Sequence, residues 1–185
     1  PADPRDSSRL LVMDRQTGSL QDQVFNEIKH LLVSGDTLVL NQTKVIPARL
    51  IGVKETGARI EILLLGQKEG GWEALVKPGR RVRAGLTVAL VERADAGSGG
   101  PAVTATILER TAAGKAVVRF EGVAPGDLRG YLWQAGEMPT PPYIKRHLAD
   151  PEQYQTVYSR VEGSVAAPTA GLHFTPGVLN ALVAR

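Results

Sequence analysis

Six short apolar segments follow one another between Leu50 and Val123 with no helical pattern between them. They read "RLIGVKE", "ARIEILLLG", "WEALVKP", "LTVALVE", "AVTATILER" and "KAVVRFEG". Alternating or short continuous apolar runs of this length fit strands. Gly-rich or charged punctuation separates them: "TG", "KEGG", "GRRVRAG", "DAGSGGP" and "AAGK". Many short strands with turns between them must bury one face without leaving long open edges. That predicts a compact antiparallel barrel or sandwich over residues 51–123.

The flanks have a different pattern. "RLLVMDRQTGSLQDQVF" predicts a hairpin or a strand with an extended continuation, and Val24, Ile28, Leu31 and Leu32 recur at helical spacing before Gly35. "DTLVLNQT" predicts a buried strand with a polar end. After residue 123, Leu128, Tyr131 and Leu132 share a helix face, with Asp127 as an expected cap. "DPEQYQTVY" carries Asp150 at a cap position and Pro151 at the first helical position. "TPGVLNALV" repeats that logic with Thr175 and Pro176. The expected architecture is therefore α/β, with residues 1–50 and 124–185 forming one domain and the β domain inserted between them.

Composition narrows the chemistry. The chain has 185 residues, 43% hydrophobic and 22% charged, as in an ordinary globular protein. It contains no cysteine, which removes disulfides, thiolate catalysis, iron–sulfur clusters and zinc fingers. A net charge of +3 permits a polyanionic partner without requiring one. No phosphate-binding glycine loop, nucleophile elbow or kinase signature is present. His173, His30 and His147 stand far apart in sequence, so no metal-ligand spacing emerges.

Four polar segments remain. "PRDSSRL" places Arg5, Asp6, Ser7, Ser8 and Arg9 together, as a grip for phosphate or carboxylate or as a solvated turn. Asn41 and Thr43 follow the expected strand, where they line a site or cap a turn. "KPGRRVR" gives the β domain a basic turn, although only Trp72 and Phe120 fall within the expected strands as a stacking platform. "EMPTPPYIKRHL" is stiffened by three prolines ahead of Tyr143, Lys145 and Arg146, as a positioned binding element or a linker.

The last segment is the oddest. "SVAAPTAGLHFTP" has no formal charge apart from His173, yet carries hydroxyls at Ser164, Thr169 and Thr175. It fits neither helix nor strand period until the expected helix start at Thr175. A single histidine in such a setting is either a satisfied core residue or an acid–base group.

In order and spacing, "PRDSSRLLVMDR", "VLNQTKVIPARL", "GEMPTPPYIKR", "YQTVYSR" and "GSVAAPTAGLHFTP" resemble the S-adenosylmethionine:tRNA ribosyltransferase-isomerases of queuosine biosynthesis. The resemblance runs along essentially the whole chain, is loosest in the β block, and corresponds to the N-terminal half of the family. Met138, Thr140 and Ser159 depart from the usual family residues. The resemblance implies a β/α barrel-like core carrying an inserted antiparallel β-barrel. It implies transfer and isomerisation of the ribosyl part of S-adenosylmethionine onto 7-aminomethyl-7-deazaguanine at the tRNA wobble position. S-adenosylmethionine is then a donor substrate, no prosthetic group or metal is needed, and the setting is a cytoplasmic monomer with no membrane. His173 and Thr169 are the expected catalytic residues. Arg5, Asp6, Ser7, Arg9, Asn41, Thr43, Arg49, Tyr143, Lys145, Arg146, Ala167, Pro168, Gly171 and Thr175 are the expected substrate contacts. The competing expectation is a non-catalytic RNA-binding protein that uses the β-barrel.

Overall fold

In the computed structural model, residues 2–79, 82–91, 102–111, 114–144, 148 and 150–185 are described. The chain forms two compact units. One comprises Pro1–Lys44, Leu148–Val161 and Ala167–Arg185, and the other Val45–His147 and Glu162–Ala166.

In the first unit, β1 (Arg9–Met13) and β2 (Leu20–Val24) pair antiparallel, with Arg9 opposite Val24 and Met13 opposite Leu20. The turn between them is set by Asp14, whose carboxylate accepts the backbone N–H groups of Gln16 and Thr17, both at 2.8 Å. Those donors stabilise the charged form and hold the Asp14 carboxyl below its ordinary range. The expected helix shrinks to a 3₁₀ turn over Phe25–Glu27 and a single α-turn, α1 (Ile28–Leu31).

The strand expected in "DTLVLNQT" does not form. Residues 37–42 adopt no regular structure, and Val39 is 87% exposed. An apolar run becomes a strand only beside a hydrogen-bonding partner, and among the described residues no strand lies along 37–42. Only the short β3 (Thr43–Val45) forms, just beyond it.

The second unit is organised by six strands: β4 (Arg49–Val53), β5 (Arg59–Lys68), β6 (Gly71–Lys77), β7 (Thr87–Leu90), β8 (Thr104–Arg110) and β9 (Ala116–Glu121). They close into an antiparallel barrel in the order β4-β5-β6-β9-β8-β7. The seam is β4 against β7, with Gly52 opposite Leu90 and Val53 opposite Ala89. Closure gives each strand two neighbours and removes the free edges that an open sheet would expose.

Side chains alternate as the pleat requires. Ile60, Ile62 and Leu64 of β5 point into the same core as Ala105 and Ile107 of β8 and Val118 of β9. A six-stranded interior is narrow, and small residues occupy much of it: Ala74, Ala105 and Ala116 are nearly inaccessible. Gly52 belongs to this pattern, because a Cβ there would lie 2.7 Å from Val88 Cγ2. Register slips at Leu64/Gly66 and Ile107/Glu109 add the bends that closure needs.

One helix, α2 (Leu128–Ala135), covers part of this core with Leu128, Leu132 and Ala135. Asp127 occupies its N-cap position but makes no side-chain cap bond. Its backbone is already in the α region, whereas a capping side chain needs an extended residue to reach back to the N–H groups.

Two more elements complete the chain: β10 (Val161–Ser164) and α3 (Pro176–Val183). Thr175 caps α3 as expected, its Oγ1 accepting the N–H of Val178 at 3.3 Å. Asp150 likewise accepts the N–H of Glu152 at 2.9 Å, but the helix it caps is one 3₁₀ turn over Pro151–Tyr154.

Candidate functional site

From Ala167 onward the uncharged segment belongs to the first unit, and it turns once as a 3₁₀ helix over Thr169–His173. Its burial is uneven. Ala167, Gly171, Leu172 and Phe174 are buried, while Thr169 and Ala170 face outward. Gly171 is glycine for reasons of space, since a Cβ would collide with the Tyr158 hydroxyl and sit 3.0 Å from Thr156 Cγ2. Tyr158 is part-buried, and desolvation raises its pKa above the ordinary 10.0. Thr156 is buried beside it, and its Oγ1 has no hydrogen-bond partner among the described residues.

His173 is held from two sides. Its ring packs against Phe25 at 5.3 Å between centroids, and Phe25 in turn meets Phe174 edge-on at 5.0 Å. Its Nδ1 lies 2.7 Å from Ser8 Oγ. The Ser8 hydroxyl has one proton, and the Arg5 carbonyl lies 2.9 Å from the same oxygen. When that proton goes to the carbonyl, the hydroxyl accepts from Nδ1–H, and Nε2 carries the lone pair that a general base requires.

A 3₁₀ turn over Arg5–Ser7, which Ser8 ends, carries further polar groups. Asp6 Oδ2 accepts from Asn26 Nδ2 at 2.8 Å and from Thr175 Oγ1 at 3.3 Å. Asn26 Oδ1 accepts from Lys29 Nζ at 2.5 Å. Arg5 spreads its guanidinium over two backbone carbonyls, Gln155 at 2.5 Å and Glu152 at 2.8 Å. A planar fork suits such a pair of acceptors, so Arg5 fastens the 152–155 turn to the start of the chain.

The structure thus brings together Arg5, Asp6, His173 and Thr175 of the residues singled out from sequence. Ser7 donates to the Pro4 carbonyl at 2.7 Å, and Arg9 is exposed at the start of β1. Asn41 accepts the N–H of Thr43 at 3.0 Å, the turn-capping arrangement, while Thr43 Oγ1 is buried without a hydrogen-bond partner among the described residues. Pro168 precedes the 3₁₀ turn and Thr169 opens it.

Of the described residues expected as substrate contacts, Arg49 and Tyr143 belong to the second unit. Arg49 donates to the Thr140 carbonyl at 3.1 Å and faces Glu61 at 4.0 Å, and Tyr143 is 74% exposed. Lys145 and Arg146 lie outside the described residues, as do Arg80 and Arg81 of the basic turn. Phe25, Asn26 and Tyr158 were not singled out. Ser8 was named within the "PRDSSRL" cluster but not among the expected substrate contacts. Phe25 and Asn26 carry no local signal, since their role arises only when distant turns meet. Among the described residues no group of three or more His, Asp or Glu stands together as a metal site.

The model of the family described as "Queuosine biosynthesis protein" matches residues 1–185. The chain belongs to that queuosine biosynthesis family. It is 50% identical over 184 residues to the S-adenosylmethionine:tRNA ribosyltransferase-isomerase of Desulfitobacterium hafniense, covering 98% of this chain and 51% of that protein. The protein of that name from Dehalococcoides mccartyi is 47% identical, with the same shares covered. A solved S-adenosylmethionine tRNA ribosyltransferase from Thermotoga maritima is 33% identical, over 100% of this chain and 49% of that one, with a TM-score of 0.39. The queuosine-family chain therefore spans about half the length of the curated relatives it matches.

Proposed function

We propose that this chain is part of an enzyme that moves the ribosyl portion of S-adenosylmethionine onto 7-aminomethyl-7-deazaguanine at the wobble position of tRNA. The products are epoxyqueuosine in tRNA, adenine and methionine. The observation that carries this reading is the identity of about half the residues along 98% of the chain to proteins bearing that name. On the same ground we propose that the flanking segments, 1–50 and 124–185, belong to a β/α barrel-like core, and that 51–123 is a domain inserted into it.

The chemistry asks for few groups. The sulfonium acidifies the neighbouring ribose 5′ carbon, so a base takes a proton there. Adenine departs once a donor meets its ring nitrogen, the neutral aminomethyl nitrogen of the acceptor bonds to the ribosyl carbon and gives up a proton, and methionine leaves as the neutral thioether while the epoxide closes. We assign the acid–base role to His173, because a Ser8 proton placed on the Arg5 carbonyl leaves Nε2 as an acceptor. Thr169, exposed at the start of the same 3₁₀ turn, is proposed as a second catalytic residue. Residues 166–175 are proposed to line the donor pocket, where Ala167, Pro168, Gly171 and Thr175 add no formal charge against a cationic substrate. The rate benefit would come from positioning and proton transfer. Arg9, Lys145 and Arg146 are proposed phosphate contacts.

The test is adenine release from S-adenosylmethionine by the protein carrying this chain, in the presence of tRNA bearing the deazaguanine precursor. His173→Ala is expected to lower the rate by roughly a hundredfold or more while tRNA affinity holds. Unchanged turnover removes His173 from the chemistry. Absence of adenine with the unaltered protein removes the enzymatic reading altogether.

A further inference from the structure

The barrel unit carries a cavity of about 640 Å³ whose walls combine aromatic rings with positive charge. Trp72 of β6 stands opposite Val118 of β9, so Trp72 and Phe120 share the inward face at one end of the barrel. Trp133 of α2 lines the same cavity, although it lies 61 positions further along the chain from Trp72. Leu128 and Leu132 form the apolar floor. Lys68, Arg119 and Arg129 stand at its rim, Lys68 and Arg119 leaving their strands on the face opposite Trp72 and Phe120, and Glu162 is the carboxylate in its lining.

Each cation has an acidic neighbour. Lys68 lies 3.2 Å from Glu73, Arg119 3.1 Å from Glu121, and Arg129 2.6 Å from Glu162. The three cationic side chains are half-exposed or more, and ion pairs there are weak enough to yield to a phosphate. Glu73 would keep Lys115, 2.8 Å away, if Lys68 turned to another anion.

We propose that this cavity takes an unpaired RNA nucleotide, its base stacking among Trp72, Phe120 and Trp133 and its phosphates meeting Lys68 and Arg119. Aromatic rings accept any base face, and clustered cations follow the backbone, which together make a single-strand site. The adenine of S-adenosylmethionine shares the stacking chemistry, but that molecule offers no phosphate to Lys68 and Arg119. This inference rests on the tRNA-directed function proposed for the chain and adds a second place where the RNA is held.

The experiment exploits an accident of composition. The chain has two tryptophans, and both line this cavity. In the protein carrying this chain, the part of the tryptophan emission lost in a Trp72→Phe, Trp133→Phe double variant reports this site. A short single-stranded ribo-oligonucleotide is expected to quench it, with an affinity that falls as salt rises. Trp133→Leu, which leaves Trp72 as reporter, should weaken binding about tenfold. Lys68→Gln with Arg119→Gln, both at exposed positions, should weaken it similarly and flatten the salt dependence. In the adenine-release assay that double variant should raise KM for tRNA about tenfold and leave KM for S-adenosylmethionine where it was.

Quenching by S-adenosylmethionine alone, with none by the oligonucleotide, overturns the proposal. So does oligonucleotide affinity that neither variant changes. Adenine release with an unaltered KM for tRNA in the double variant sinks the cavity and spares the enzyme. Oligonucleotide quenching that the variants abolish, without adenine release by the unaltered protein, spares the cavity and sinks the enzyme.

Discussion

The barrel unit satisfies its backbone through a closed ladder of six strands, and its interior is filled by aliphatic side chains at alternate positions. The first unit has a two-stranded pair, short turns and a small cluster around Phe25, Phe174 and Val178. Much of what joins its distant segments is polar. Arg5 holds carbonyls 147 and 150 positions away, Ser8 meets His173 across 165, and Thr175 reaches Asp6 across 169. Order from a closed ladder tolerates local change at the surface and fails when the interior is hollowed. Order from long-range polar contacts fails when one turn moves, and it leaves heteroatoms gathered where chemistry can use them.

The sharpest way to test this contrast is to hollow the barrel. Ile62 is fully buried in β5, among Leu64, Ala74 and Ile107. Ile62→Ala is expected to cost about 2–5 kcal/mol, the transfer of the lost atoms plus the cavity left behind. Urea denaturation followed by tryptophan emission should show it, because both tryptophans lie in this unit. A loss below about 1 kcal/mol would mean that the interior relaxes freely, against the tight packing that Gly52 indicates.

A smaller but more local effect is expected at Gly171. Adding one methyl drives it into the Tyr158 hydroxyl and against Thr156. Overpacking of this kind costs about 1–3 kcal/mol. Hydrogen exchange in peptides covering 154–178 should speed up in Gly171→Ala, and adenine release should fall with it as His173 shifts. Tyr158→Phe removes the colliding oxygen, so the double variant should recover part of the loss. If Tyr158→Phe gives no recovery, Tyr158 is not what limits space at this position.

The two units also differ in how far residue order reveals them. All six barrel strands are legible, because the pleat writes its period of two into "ARIEILLLG" and "AVTATILER" and glycines mark the turns. The cap of α3 is legible for the same reason: Thr175 and Pro176 act on their immediate neighbours. "DTLVLNQT" misleads because an apolar run states a wish for burial and not the presence of a partner. The Ser8–His173 contact is illegible in principle, since nothing near either residue encodes the other. Trp133 was hidden likewise: it belongs to a helix, and only the fold sets it beside Trp72 and Phe120.

The least costly test compares charge on the barrel surface. Glu73 receives Lys115 Nζ at 2.8 Å and Lys68 Nζ at 3.2 Å, and these hydrogen bonds hold its carboxyl below the ordinary 4.5. A carboxylate with a depressed folded-state pKa stabilises the fold above its unfolded value. That contribution disappears as pH falls through the lower, folded value. Barrel stability should therefore decline below about pH 4.5, and Glu73→Gln should remove a small part of that decline while lowering stability slightly at neutral pH. Raising the salt concentration should shrink the difference between the two proteins, because the groups are near water. Identical pH profiles for both would assign the acid sensitivity of this unit to other carboxylates and leave its closed ladder as the whole account of its stability.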